Sequence, residues 1–241
     1  MDNMKNKVAI ITGSGKGIGR AIAITLASAG ARVVVSSRTQ TDIDAVVREI
    51  NALGGNAIAV KADVSSESSV KRLIEITTHS FGGIDILVNN AGIGTFSNVA
   101  AMKTEDFDRM WNVNMRGVFL CTREALPSMI QQTSGDIINI ASLAGRNAFI
   151  GGAGYAATKW ALIGFSRCLM LEVRDKNIRV ITICPGSVDT GFVGPSANVK
   201  HSPQIPKAED LAQVVLDALQ MPRHVMMSEI DVRPTNPNLA G

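Results

Sequence analysis

Short apolar runs, each about the length of a strand, recur along this chain between longer stretches of helical period, and that alternation leaves few folds open. The strand candidates are Lys7–Thr12, Arg32–Ser36, Asn56–Lys61, Asp85–Asn89, Gly135–Ile140, Arg179–Cys184 and Glu229–Val232. Helical periodicity spans Gly17–Ala29, Thr41–Leu53, Glu67–Phe81, Thr104–Ile130, Gly154–Asp175 and Lys207–Gln220. Repetition of strand, helix and strand predicts an α/β fold. The expected form is a doubly wound, Rossmann-like parallel sheet of about seven strands, with helices on both faces and right-handed crossovers. The runs are continuous rather than alternating, as in strands buried on both faces. With 46% hydrophobic but only 4% aromatic residues, the core must be built from Ala, Val, Ile and Leu. No repeat, low-complexity tract or linker divides residues 1–241, so a single domain is expected.

Charge excludes more than it suggests. The 24 basic and 21 acidic side chains leave a net +3, with no Lys/Arg-rich run to track a nucleic-acid backbone. Cys121, Cys168 and Cys184 lack metal-ligand spacing and read as three reduced core thiols, so no metal site is expected. The first apolar run leads straight into a glycine loop, and no stretch is long enough to span a bilayer. The expectation is a cytoplasmic protein that binds neither membrane nor nucleic acid. The least regular part is 187–206, rich in Gly, Pro, Ser and Asn. It follows a strand end, where open α/β sheets bind ligands, and reads as a substrate-covering segment.

The segment from Val8 to Gly19 passes from strand through glycines into helix. Glycines let a backbone approach a pyrophosphate, and a helix N-terminus offers it unpaired N–H groups. Lys16 is not followed by Ser or Thr, so a Mg-ATP loop lacks its metal ligand. The second strand ends in Ser36-Ser37-Arg38, without the carboxylate that grips a ribose 2′-hydroxyl. A guanidinium there suits a 2′-phosphate, and Lys16 adds a second charge, which favours NADP over NAD. Further along, Tyr155 and Lys159 are spaced to share one helix face. An ammonium nearby lowers a phenol's pKa, and Ser142, just past an apolar run, offers a hydroxyl to a substrate oxygen.

In combination these features resemble the short-chain dehydrogenase/reductase family, in its short single-domain branch, along nearly the whole chain. The likeness is carried by Thr12–Gly19, Asp63-Val64, Asn89-Asn90-Ala91-Gly92, Asn114, Ser142, Tyr155-Ala156-Ala157-Thr158-Lys159 and Pro185-Gly186. It implies an NADP-dependent oxidoreductase that reduces a carbonyl compound to an alcohol, reversibly. Tyr155 would be the proton donor, Lys159 would lower its pKa and hold ribose hydroxyls, and Ser142 would orient the carbonyl. Asn114 would hold a water leading from Lys159 to solvent. The cofactor-binding set it implies is Gly13, Ser14, Lys16, Gly17, Ile18, Gly19, Ser37, Arg38, Asp63, Val64, Asn90, Ala91 and Gly92. Tyr155, Lys159, Pro185, Gly186, Val188 and Thr190 complete that set at the nicotinamide end. A homotetramer or homodimer is implied too, with the helices Thr104–Ile130 and Gly154–Asp175 forming one interface.

Within the family, the general likeness is to 3-oxoacyl-[acyl-carrier-protein] reductases and to NADP-dependent carbonyl reductases. The first activity is the alternative reading, but Gln131-Gln132-Thr133 stands where those reductases tend to be basic. The ending Ser228–Pro234 also lacks their frequent Val-Asp-Gly-Gly and looks more like the carbonyl reductases. The expected pocket wall is Ile93, Leu143, Phe149, Phe192 and Val193, with Asn147 and Thr95 as polar contacts, which suits a small apolar ketone or ketoester. An epimerase would need a larger C-terminal region. A non-catalytic NADP sensor would be expected to lack the tyrosine or the lysine, and both are present.

Overall fold

The computed structural model describes residues 4–192 and 205–236; Val193 and the middle of the expected covering segment lie outside them. The strands are β1 (Val8–Thr12), β2 (Arg32–Ser37), β3 (Asn56–Lys61), β4 (Ile86–Asn89), β5 (Gly135–Ile140), β6 (Ile178–Pro185) and β7 (Glu229–Val232). They form one sheet in the order β3-β2-β1-β4-β5-β6-β7, and every neighbouring pair is parallel. The helices are α1 (Gly17–Ser28), α2 (Gln40–Ala52), α3 (Glu67–Phe81), α4 (Thr104–Trp111), α5 (Gly117–Gln132), α6 (Ala153–Val173) and α7 (Ala208–Gln220).

The two faces of the sheet carry separate cores, as the continuous apolar strands require. Ile22 and Leu26 of α1, Ile43 and Val46 of α2 and Leu211 and Val215 of α7 cover one face. Val70 and Leu73 of α3, Leu120 and Met129 of α5 and Leu169 and Val173 of α6 cover the other. The large buried hydrophobic side chains are almost all aliphatic, with Tyr155 the one buried aromatic among the described residues, as the composition requires. A buried ion pair fastens the far end of the sheet. Arg179 Nε donates to Asp136 at 2.6 Å, and its other nitrogens donate to the carbonyls of Leu219, in the last turn of α7, and Met221, just past it.

Two expectations need correction. The helix expected over Thr104–Ile130 is two helices joined by a π-turn, Asn112–Arg116. The wider turn is held by Asn114, whose Oδ1 accepts from Ile93 N and whose Nδ2 donates to Ile93 O, both at 2.9 Å. Such turns often mark functional positions. Cys121 and Cys184 are buried as expected, but Cys168 is exposed. Its neighbours Ser166 and Leu169 take the inward face of α6, so the helical period turns Cys168 outward.

Candidate active site

Strand order runs one way from β1 to β3 and the other way from β4 to β7, so the chain reverses between β1 and β4. At such a reversal the loops leaving the strand ends diverge and open a crevice. Here two of those loops are pinned together at its floor. Thr12 Oγ1 donates to Val88 O and accepts from the N–H groups of Asn90 and Ala91, while Asn90 Nδ2 donates to Thr12 O at 2.9 Å and to Gly13 O at 3.1 Å. The contact is so close that a Cβ on Gly13 would lie 2.8 Å from Ala91 Cα, and one on Gly19 would lie 2.4 Å from Asn90 Nδ2.

The glycine loop forms the cradle read from the sequence. Gly13 and Gly17 have φ of +65° and +57°, and Lys16 precedes α1 without capping it by a side-chain hydrogen bond. The first turn of α1 therefore keeps N–H groups facing the crevice. Ile18 packs against the core rather than into the cradle. Ser14 is different from the expectation of a contact residue. Its hydroxyl donates to Ile11 O at 2.7 Å and accepts from Ser36 N at 2.8 Å, fully buried, so it staples the loop to β2.

Beside the loop, a cleft of about 830 Å³ is lined by Arg38 and Asp63, the two predicted residues that face each other here. Lys61 and Arg72 line it too. No carboxylate among the described residues is paired with these three cations. The carboxyl of Asp63 accepts from Ser65 N and Oγ at 2.9 and 2.7 Å, which leaves its other oxygen for a ligand. Val64 is buried against Gly117. Ser37 closes a local turn with Thr39. Asp42, from the first turn of α2, reaches within 3.7 Å of where a Gly15 Cβ would be, so a carboxylate does approach the loop. Asp42 carried no sequence signal, because it arrives from a helix rather than from the strand end.

The reactive groups stand on the other bank. Tyr155 and Lys159 are 8% and 5% exposed, on the face of α6 turned to the sheet. Burial pushes the Tyr155 phenol up to about 12, opposed by a hydrogen bond from Ser142. Burial also pulls the Lys159 ammonium down to about 8. Lys159 Nζ lies 5.7 Å from the Tyr155 ring centroid and donates to Ile140 O at 2.9 Å. Burial therefore governs the phenol, and the group that opposes it is Ser142 rather than the expected ammonium. Ser142 Oγ accepts from Ala144 N at 3.1 Å and contacts Pro185 O at 3.4 Å, at the end of β6. Gly92 approaches both Asn114 and Lys159, with a Cβ position 3.5 Å from Oδ1 and 3.8 Å from Nζ. Gly186 N donates to Val232 O, Val188 packs on the core, and Thr190 returns to within 3.4 Å of the Gly17 Cβ position. The segment after β6 therefore closes over the start of α1. Both N–H groups of the Asn114 amide are engaged, by Ile93 O and Thr158 Oγ1, and Oδ1 accepts from Ile93 N, so a water there could only donate to Asn114.

Three phenylalanines crowd the phenol. Phe96 packs edge-on to Tyr155 with centroids 5.4 Å apart, Phe192 lies at 6.0 Å, and Phe149 stacks behind Phe96 at 5.8 Å. Phe149 and Phe192 were expected; Phe96 was not, although an aromatic shortly after Asn-Asn-Ala-Gly was a readable signal. Arg146, the nearest candidate for a carboxylate clamp, is tied to Glu229 and Asp231. Among the described residues there is no cluster of His, Cys, Asp or Glu fit for a metal, and no helix long and apolar enough to cross a membrane.

Comparison with known proteins gives this arrangement its relatives. The sequence pattern of the family described as short chain dehydrogenase matches residues 7–200. A 3-oxoacyl-[acyl-carrier-protein] reductase of Synechocystis is 42% identical over 191 residues, 79% of this chain and 77% of that one. A metagenomic short-chain oxidoreductase solved with NADP is 36% identical, covers 97% of this chain and 99% of its own, and superposes with a TM-score of 0.85. An alcohol dehydrogenase from the archaeon Thermococcus sibiricus, complexed with 5-hydroxy-NADP, is 30% identical with a TM-score of 0.88, over 95% of this chain and 97% of its own.

Desolvation of Lys159 makes a prediction that needs no substrate. The unfolded chain holds the proton with the ordinary value of 10.5, the folded chain with about 8, so stability rises with pH between those values and the penalty is full below 8. Removing the charge should stabilise the protein by about 1–2 kcal/mol at neutral pH, after Ile140 O loses its donor. Urea midpoints of cofactor-free Lys159→Met should exceed those of the parent at pH 7 and converge with them towards pH 10. A difference that does not change with pH would mean Lys159 is not charged and buried together.

Proposed function

The chain belongs to the short-chain dehydrogenase family, and on that premise we propose that it is an NADPH-dependent reductase of uncharged ketones, with Tyr155 as the proton donor. The observation that carries this reading is Tyr155 itself, the only tyrosine in the chain, buried beside Ser142 and Lys159 at the mouth of the crevice. A phenol held near 12 keeps its proton at neutral pH, the state a donor needs when an alkoxide forms next to it. The hydroxyl of Ser142 offers the same oxygen a second hydrogen bond as charge develops there. Lys159, with a value of about 8 still charged at neutral pH, favours the phenolate that remains.

The crevice fits a nicotinamide dinucleotide. Any side chain at Gly13 or Gly19 would collide with the opposite loop, and the uncapped start of α1 suits a pyrophosphate. NADPH, when bound, supplies the hydride. Gly13, Gly17 and Gly19 would shape the cradle for its phosphates, and Lys16, at the start of α1, would add a positive charge. Arg38 with Lys61 and Arg72 makes the cleft positive, which favours a 2′-phosphate over the nearby carboxylate of Asp42. Asp63, Val64 and Asn90–Gly92 would flank the adenosine side and the crevice floor, and Pro185, Gly186, Val188 and Thr190 the nicotinamide side. The NADP-bound metagenomic relative supports the same assignment. The lining phenylalanines and the engaged Arg146 support an uncharged substrate. The exposed Phe119 and Leu171, on α5 and α6, suit the expected contact between subunits of a homotetramer or homodimer.

The likeness to the Synechocystis reductase keeps carrier-bound 3-oxoacyl chains as the second reading. NADPH oxidation with acetoacetyl thioester and a simple ketoester separates the two. Turnover of the thioester alone would favour the second; comparable or faster turnover of the ketoester supports the first.

Two substitutions test the roles. Tyr155→Phe should reduce kcat by at least about a hundredfold, as loss of a general acid does, while NADPH affinity measured by fluorescence changes little; substantial residual turnover would refute the donor. Arg38→Asp should raise the KM for NADPH far more than that for NADH, and an unchanged cofactor ratio would refute the phosphate contact.

A further inference from the structure

The Ser142 hydroxyl can assist Tyr155 only if the turn that carries it is held in place. That turn is a single 3-10 turn, Leu143–Gly145, with Ser142 at its start and Arg146 at its end. Gly145 N donates to Ser142 O, and the N–H groups of Arg146 and Asn147 both donate to Leu143 O, each at 2.9 Å. These bonds close on the turn itself. Towards the sheet, Ser142 Oγ reaches Pro185 O only at 3.4 Å. On its other side the turn sits directly on the backbone of α6, where a Cβ on Gly145 would lie 2.8 Å from Lys159 O.

Arg146 supplies the tie to the sheet. Its guanidinium donates to Glu229 at 2.5 Å, and its Nε lies 2.7 Å from a carboxylate oxygen of Asp231. Glu229 and Asp231 are two apart on β7, so both carboxylates leave the same face of this edge strand. It is the face that α6 covers: Cys184, which pairs with Asp231, packs among Leu162 and Ile163. Arg167, about two turns beyond Lys159 on α6, grips the same Glu229 with two nitrogens at 2.6 and 3.1 Å. One carboxylate thus joins the turn of Ser142, the helix of Tyr155 and Lys159, and the last strand. The two guanidinium groups hold its carboxyl down at about 2. Ion pairs this near the surface add little net stability; what a forked guanidinium gives is a defined geometry.

We propose that Glu229 and Asp231 are positioning residues for the reductase chemistry: by clasping Arg146 they fix the turn that aims the Ser142 hydroxyl at Tyr155 and at the substrate oxygen. The inference rests on the reductase reading and adds to that site two residues of the last strand, which act through another side chain. A group misplaced by about 1 Å can lose as much as a hundredfold in rate, so an anchor of this kind bears on turnover.

The test is Glu229→Gln, which keeps the shape and removes the charge, compared with Ser142→Ala and with the two combined. With NADPH and a simple ketoester, Glu229→Gln should lower kcat by about tenfold or more, within what such a misplacement costs, and leave NADPH affinity by fluorescence little changed. In the Ser142→Ala background the same substitution should cost almost nothing further, because its effect runs through that hydroxyl. The single tyrosine gives a second readout that needs no substrate. At pH 11.5 cofactor-free Glu229→Gln should hold less tyrosinate than the parent, since the Ser142 hydrogen bond that favours the phenolate is lost. Loss of a negative charge alone would act in the opposite direction. Asp231→Asn serves in the same comparisons if Glu229→Gln folds poorly. Additive losses in the combined variant, or tyrosinate equal to or above the parent's, would overturn the positioning role and leave the reductase reading standing. A parent without turnover of any carbonyl would remove the reductase reading, while the tyrosinate comparison would still decide whether β7 sets Ser142.

Discussion

Parallel pairing of strands buried on both faces governs everything else in this molecule. It forces each connection to cross over as a helix and brings all the strand C-termini to one edge of the sheet. The reversal between β1 and β4 then opens one crevice at that edge. Thr12 and Asn90 lock its floor by hydrogen bonds between side chains and backbone from both strand ends. Because that lock draws the two loops into contact, Gly13 and Gly19 leave no room for a side chain. The glycine pattern is therefore as much a packing requirement of the crevice as an allowance for a ligand.

Chemistry in the crevice is set by what its walls exclude. Phe96 and Phe192 pack on Tyr155, while Lys159 is buried against the end of β5. Desolvation pushes the phenol up and the ammonium down, so both groups are biased towards their neutral forms before any ligand enters. This costs stability at neutral pH, and functional sites commonly carry such a cost. The hydrogen bond from Ser142 acts against the bias at the phenol, and a polar ligand would do the same for the lysine.

Much of this was legible in the sequence. Apolar runs marked all seven strands, with no end shifted by more than one residue, because a strand buried on both faces has few polar residues to blur its limits. Tyr155 and Lys159 were legible because helical spacing fixes a shared face. The π-turn was not, since it depends on Asn114 reaching Ile93 across the crevice, a contact with no local pattern. Asp42 and Arg72 were missed for the same reason: each approaches the glycine loop or the cleft beside it from a helix whose periodicity looks ordinary. Cys168 was misjudged because an apolar neighbourhood in sequence does not say which side of a helix a thiol takes.

The account stands most directly on the state of one phenol, and the chain has no second tyrosine to obscure it. A pH titration of the cofactor-free protein, followed by the ultraviolet absorbance of tyrosinate, reads Tyr155 alone. The account predicts almost no tyrosinate up to pH 10.5, with ionisation climbing only towards 12. Half-ionisation at or below the ordinary value of 10, with the fold intact, would mean that the ammonium rather than burial governs the phenol, and would contradict the description of the crevice.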